Sequence, residues 1–238
     1  PHPVYCNKSV ELGVFNEHRF AFYFWAKWRI SNNNKTAPAL ITFDWHQDLA
    51  YPDEIEKEWM CKLDLKNQFE VSFYSWAKLN PLNDNHVLSA AYLNLIGDIF
   101  VLCKDFSCSG VNEIEEIIDL DNNKHIIRKF DSTESLFAFL IASDLEKVLL
   151  DIDLDFFTIE NISSNDKHLF SYMPDKTIKE LFNPKSPLIF WILKRITGFT
   201  IALEPEHCGG IQKSLKYYSL LEKTLFTGSI YNNQTLWK

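Results

Sequence analysis

Short apolar runs alternate along this chain with longer stretches of mixed apolar and polar residues, and two of the short runs share an unusual ending. Residues 39–43 and 148–152 read as strands, the first running into Asp44, His46 and Asp48 and the second into Asp151, Asp153 and Asp155. Side chains two apart on an extended backbone point the same way. Each triplet can therefore converge, and two adjacent parallel strands would place five carboxylates and an imidazole at one sheet edge. Like charges at close range repel strongly unless cations compensate them. The pattern predicts a two-metal site.

The remaining periodicities supply the frame. A first short strand is expected over 3–6, with Gly13 ending the turn that follows it. Residues 15–30 have helical length, with Phe20, Phe24, Trp25 and Trp28 spaced three and four apart on one apolar face. His18 falls in the first turn of that helix. A polar loop follows over 31–36, and Pro52 with its following acids opens a helix reaching about residue 62. Residues 64–84 show no clear period and hold Phe69, Phe73, Tyr74 and Trp76 in polar surroundings, as a loop, lid or cleft wall would. His86 precedes a helix over 87–96. Strands are expected at 98–103, 124–130 and 199–203, and helices at 132–142, 177–182, 188–196 and 211–225, with a polar segment carrying His168 over 160–175.

Alternating strands and helices imply an α/β fold with a mostly parallel sheet covered on both faces. The 238 residues, 46% hydrophobic, suffice for one core, so a single domain over 1–238 is the expectation. No apolar run reaches membrane-spanning length, and no signal peptide is visible at the start. The net charge of −8 disfavours a nucleic-acid partner. Cys6, Cys61, Cys103, Cys108 and Cys208 form an odd, scattered set, which reads as the reduced thiols of a cytoplasmic protein.

Asp44, His46, Asp48, Asp151 and Asp153 offer hard oxygen donors and an imidazole without cysteine. This donor set suits manganese, with iron, cobalt or zinc as competitors. Two such ions roughly 3.5–4 Å apart can share a water and lower its pKa towards neutrality. The competing reading makes these acids helix caps or turn formers.

The stretch Phe43-Asp-Trp-His-Gln-Asp48 resembles the Asp-Ala-His-x-Asp motif of the ureohydrolases (arginase, agmatinase and relatives), and Asp151-Ile-Asp153 resembles their second Asp-x-Asp motif. The resemblance implies a three-layer α/β/α, arginase-like fold with two Mn(2+) ions per chain. It would place His18, Asp44, Asp48 and Asp151 on one metal and His46 and Asp153 on the second, with Asp44 and Asp151 bridging. Pro3-Val4, Glu17-His18, Asp151 to Phe156 and Pro205-Glu-His-Cys-Gly-Gly210 are similar to a smaller branch that includes the peptide arginases. Those maturation enzymes convert arginine in ribosomally made precursor peptides to ornithine and release urea.

Two departures matter. Asp155 comes one residue earlier than the third acid of the free-arginine enzymes, with no Pro after it, and no loops for gripping free α-amino and α-carboxylate groups are evident. The implied substrate is an arginine-containing peptide. A guanidinium needs a carboxylate partner: Glu206 and Glu204 are the candidates, and the branch pattern favours Glu206. Asp48 is expected to take and relay a proton, and His86 and His207 are candidates for delivering one to the leaving amine. A deacetylase, a small-molecule ureohydrolase and a non-catalytic metal- or peptide-binding module are the alternative readings.

Overall fold

A computed structural model describes residues 9–31, 36–104, 113–162, 168–228 and 235–238. The expected strand at 3–6 and most of the loop at 31–36 lie outside these residues. A seven-stranded sheet occupies the centre, built from β1 (Leu12–Phe15), β2 (Ala39–Asp44), β3 (Ile99–Cys103), β4 (Ile114–Ile118), β5 (Lys124–Phe130), β6 (Val148–Asp153) and, later in the chain, the strand Ile196–Ala202. Two further strands, β7 (Thr158–Ile162) and β8 (His168–Tyr172), pair only with each other as an antiparallel hairpin, which makes Ile196–Ala202 β9. The sheet order is β1-β9-β6-β2-β3-β5-β4, parallel throughout except for β4, which runs antiparallel to β5.

The helices divide between the two faces in chain order. On one face, α1 (Ala21–Ser31), α2 (Glu54–Lys62), α3 (Gln68–Ala77) and α4 (His86–Tyr92) pack Trp25, Met60, Val71 and Leu88 against Leu40, Val101 and Leu149. On the other, α5 (Thr133–Ile141), α6 (Asp175–Leu181), α7 (Pro187–Leu193) and α8 (Ile211–Leu225) pack Leu136, Ile178, Ile189 and Leu221 against Ile41, Phe43, Leu150 and Ile201. Both strands β2 and β6 are buried along their whole length, which explains their unbroken apolar composition. The result is the expected α/β, three-layer α/β/α architecture with a mostly parallel sheet.

Strand β2 has β3 on one side and β6 on the other. The chain therefore builds outward from β2 in one direction and then in the other, and ligands in open parallel sheets bind beyond the strand ends at such a switch. Both acid-bearing strands meet there.

Several boundaries differ from expectation. Gly13 lies inside β1, where a Cβ would come 2.8 Å from the Phe24 ring, so α1 packs closely on a strand that needs no side chain at that point. The helix expected over 15–30 is preceded by a short 3-10 turn, His18–Phe20, before α1 proper. Residues 64–84 contain α3, capped by Asn67 accepting from the backbone N–H groups of Phe69 and Glu70. Its periodicity is obscured because Phe69, Phe73 and Trp76 face outward. Helix α4 ends at Tyr92, earlier than expected, where Asn94 takes a positive φ of 53°. The polar segment 160–175 holds the β7–β8 hairpin, and β4 is an edge strand whose acidic residues hid its pattern.

Cys61 and Cys208 are free thiols, but Cys103 is disulfide-bonded. The reading of uniformly reduced cysteines therefore fails at the end of β3. Cys6 and Cys108 lie outside the described residues. Among the described residues, no helix is long and apolar enough to cross a membrane.

Candidate metal centre

Four elements bring the candidate residues together at the carboxyl edge of the sheet. Asp44 closes β2, Asp153 closes β6, Glu204 follows β9, and His18 follows β1 in the short 3-10 turn. The β1 and β9 ends are tied, with Leu203 N–H donating to Phe15 O at 2.8 Å and Glu204 N–H to Asn16 O at 2.9 Å. That tie carries His18 over the end of β9 towards β6.

The two ring nitrogens of His18 have different surroundings. Nδ1 lies 2.9 Å from Asp48 Oδ2, 3.2 Å from Asp153 Oδ2 and 3.4 Å from Asp44 Oδ2. Nε2 lies 2.7 Å from Asp151 Oδ2. Asp151 is fully buried and also accepts from Thr42 Oγ1 at 2.8 Å and Thr200 Oγ1 at 2.5 Å. Thr42, Asp151 and Thr200 are Cα partners across β2, β6 and β9, so they form one polar row inside the sheet. A carboxylate behind a histidine in this way fixes the tautomer and aims the other nitrogen outward.

A second group forms beside the first. His46 Nδ1 lies 3.2 Å from Asp155 Oδ2, and Asp155 Oδ1 accepts from Trp45 N–H at 3.2 Å. Asp153 caps the turn that presents Asp155, accepting its backbone N–H at 3.0 Å. Candidate ligand atoms fall within 4.8 Å of one another in the sets His18–Asp44–Asp153, Asp44–His46–Asp155 and His18–Asp48–His86. Asp44 belongs to two of these sets. Its Oδ1 accepts from His46 N–H at 2.8 Å, while its Oδ2 is buried with no hydrogen-bond partner.

The electrostatics reflect crowded acids. Burial, with the charge of Asp44, pushes the Asp48 carboxyl up to about 8. Burial likewise raises Asp153, reinforced by Asp155. Burial alone would depress His18, but the charge and hydrogen bond of Asp151, joined by Asp153, hold it well above the usual imidazole value. Burial also opposes charging of His46, but the hydrogen bond and charge of Asp155, with the charges of Asp44 and Asp48, together outweigh that and lift it to about 9. Without a cation, the cluster is held together by protons.

The placement of the other candidates is mixed. Glu204 is buried with a positive φ of 35°, and its Oε1 accepts from His18 N–H at 2.5 Å and from Asn83 Nδ2 at 2.9 Å. Glu206, two residues on, is exposed outside this cluster. His86 is fully buried, its ring 4.4 Å from that of His18 and stacked on Trp25. His86 Nδ1–H donates to Asn83 O at 2.9 Å, and Nε2 has no partner. Burial and the neighbouring His18 charge depress its pKa well below normal. His207 is exposed, its ring 5.8 Å from that of His46 at the rim.

Sequence reasoning paired Asp151 with Asp153; in the structure Asp153 and Asp155 each share a candidate ligand set with Asp44, while Asp151 lies against His18 Nε2. Strand β6 persists to Asp153, so Asp151 sits one side-chain row deeper. Thr42, Thr200 and Asn83 were missed altogether. The signal for the two threonines was available: each is a hydroxyl within an otherwise apolar, fully buried run.

No protein-family profile and no curated protein matches the chain. Among solved structures, it is similar to an arginase of Entamoeba histolytica determined in complex with L-ornithine, with 13% identity and a TM-score of 0.47 over 90% of this chain and 69% of that one.

Proposed function

We propose that the protein is a dinuclear metal-dependent hydrolase that converts arginine side chains within polypeptides to ornithine, releasing urea, in the maturation of ribosomally made peptides. The carrying observation is that Asp44 belongs to two of the candidate ligand sets, its buried Oδ2 making no hydrogen bond and lying 3.4 Å from His18 Nδ1. Several buried acids crowded around one imidazole are costly unless further cations compensate them.

His18, Asp44, Asp48 and Asp153 would hold one ion, and Asp44, His46 and Asp155 the other, with Asp44 serving both. Oxygen and imidazole donors without thiolate suit manganese. When bound, two divalent cations supply the charge that makes water acidic enough to attack at neutral pH and that offsets negative charge developing on the reacting group.

The chain's own residues do the rest. Asp151, Thr42 and Thr200 keep His18 Nδ1 pointed into the site. Glu204, rather than the exposed Glu206, has the burial to pair with and orient a guanidinium, and Asn83 fixes its Oε1. Asp48 takes the proton released as water adds to the guanidinium carbon. Asp48 then returns that proton to the side-chain nitrogen as its bond to the carbon breaks, which yields urea and the ornithine amine. His86 has its Nδ1 proton committed to Asn83 O and packs on His18, so it is assigned to positioning.

A peptide substrate is supported by the absence from the sequence of evident motifs for gripping free α-amino and α-carboxylate groups. The test is urea release from arginine-containing peptides and from free arginine by the manganese-loaded protein. Faster release from peptides is expected. Faster release from free arginine overturns the substrate class, and no urea from any guanidinium substrate with two ions bound overturns the reaction.

A further inference from the structure

The chain is acidic overall, yet its charge is unevenly divided. Of its 24 Lys and Arg and 32 Asp and Glu, nine and five respectively fall within residues 175–238. Much of that excess gathers at one place. A groove of about 900 Å³ where α6 packs against α8 is lined by Lys179, Lys185, Lys216, Lys223 and Lys238, with Asp175 as its acid. Lys216 Nζ donates to Asp175 at 2.7 Å, and this bond, with the charges of Lys216, Lys179 and Lys213, holds the Asp175 carboxyl below its usual range. Lys238 Nζ donates to Lys223 O, which brings that ammonium over the last turns of α8.

The positive track runs along α8 to the turn that follows Glu204, the residue bonded to His18 N–H. Lys213, in the first turn of α8, lies with Nζ 3.5 Å over the Tyr172 ring. Tyr172 in turn packs so closely on Gly209, in the turn after Glu206, that a Cβ there would meet its hydroxyl at 2.5 Å. From Lys213 through Lys216 to Lys223 the helix advances about 15 Å. An extended chain covers that length in roughly four or five residues. The lysines cluster along this line while the whole chain carries −8, so a long polyanionic backbone would meet repulsion elsewhere. A short acidic run within a polypeptide matches both the length and the charge.

We propose that the α6–α8 groove docks an acidic segment of the substrate polypeptide, flanking the arginine that enters the metal centre. The inference rests on the peptide reading of that centre, but its binding test does not require turnover.

The experiment measures fluorescence anisotropy of a labelled twelve-residue glutamate-rich peptide lacking arginine, with a glutamine-rich peptide of equal length as control. Binding of the acidic peptide is expected to weaken on the order of tenfold or more between 20 and 200 mM salt, following screening of several charges. The variant Lys179→Glu/Lys223→Glu, checked for folding by circular dichroism, should lose that binding. The milder Lys179→Gln/Lys223→Gln should lose part of it. Equal affinity for the acidic and glutamine-rich peptides, unchanged affinity in a folded charge-reversal variant, or equally tight groove-dependent binding of a short RNA overturns the proposal. Urea release from peptides without acidic-peptide binding removes the docking site alone, whereas binding without urea release removes the catalytic reading and leaves the docking site standing.

Discussion

His18 Nε2 lies 2.7 Å from Asp151 Oδ2, while its Nδ1 faces Asp44, Asp48 and Asp153. Asp151 already serves one imidazole nitrogen and two threonine hydroxyls. On the proposed reading it orients His18 and leaves the metals to Asp44, Asp48 and Asp153 on the Nδ1 side.

Asp155→Ala and Asp151→Asn should therefore separate. Removing Asp155 should cut bound manganese from two ions towards one per chain. Asp151→Asn should keep both, with affinity weakened about 10–100-fold, as for the loss of an orienting partner behind a metal ligand. Calorimetric titration with elemental analysis decides this. Loss of an ion in Asp151→Asn alongside full loading of Asp155→Ala would restore Asp151 as a ligand.

The metal-free protein should lose stability as pH rises. Asp48 is raised from an ordinary carboxylate value to about 8, so between those limits the folded state binds more protons than the unfolded state. Its stabilising contribution is complete below the unfolded pKa and fades as pH climbs through about 8. The raised His46 acts in the same direction, fading towards about 9. Metal binding needs the same groups deprotonated, so manganese should raise Tm more at pH 8 than at pH 6. Thermal melts with and without chelator across that range provide the measurement.

The two glutamates after β9 should have unequal effects. Glu204→Gln removes a buried charge beside His18 and should lower kcat/KM by roughly tenfold to a hundredfold, the loss of a charge-assisted hydrogen bond worth about 1.5–3 kcal/mol. The exposed Glu206→Gln should stay within about twofold. Urea kinetics on an arginine peptide compare them, and the reverse ranking would transfer the guanidinium-binding role to Glu206.

Gly198→Ala tests the packing that supports the site. A Cβ on Gly198 would come 2.4 Å from the Trp28 ring and 2.9 Å from a Leu149 methyl. Overpacking of this kind typically costs about 1–3 kcal/mol, which denaturant unfolding should show.

The sequence alone determined the layered α/β class, the central parallel strands and the amphipathic α8, because buried strands and half-buried helices impose distinct spacings of apolar residues. It also marked Asp44, His46 and Asp48, although β2 ends at Asp44 and Asp48 takes a positive φ of 50°, so strand alternation is not what gathers them. It did not determine the pairing of Asp153 with Asp155. That choice depends on how far β6 continues, and Thr42 and Thr200 on neighbouring strands make the deeper row hospitable to Asp151. Nor could local pattern show that Glu204 is buried and Glu206 exposed, since a positive φ at Glu204 and its ties to His18 and Asn83 turn the chain there. Edge strand β4 was illegible for a related reason. A strand covered on only part of its surface carries too few apolar residues to declare its period, and only its partner strand in the folded chain defines it.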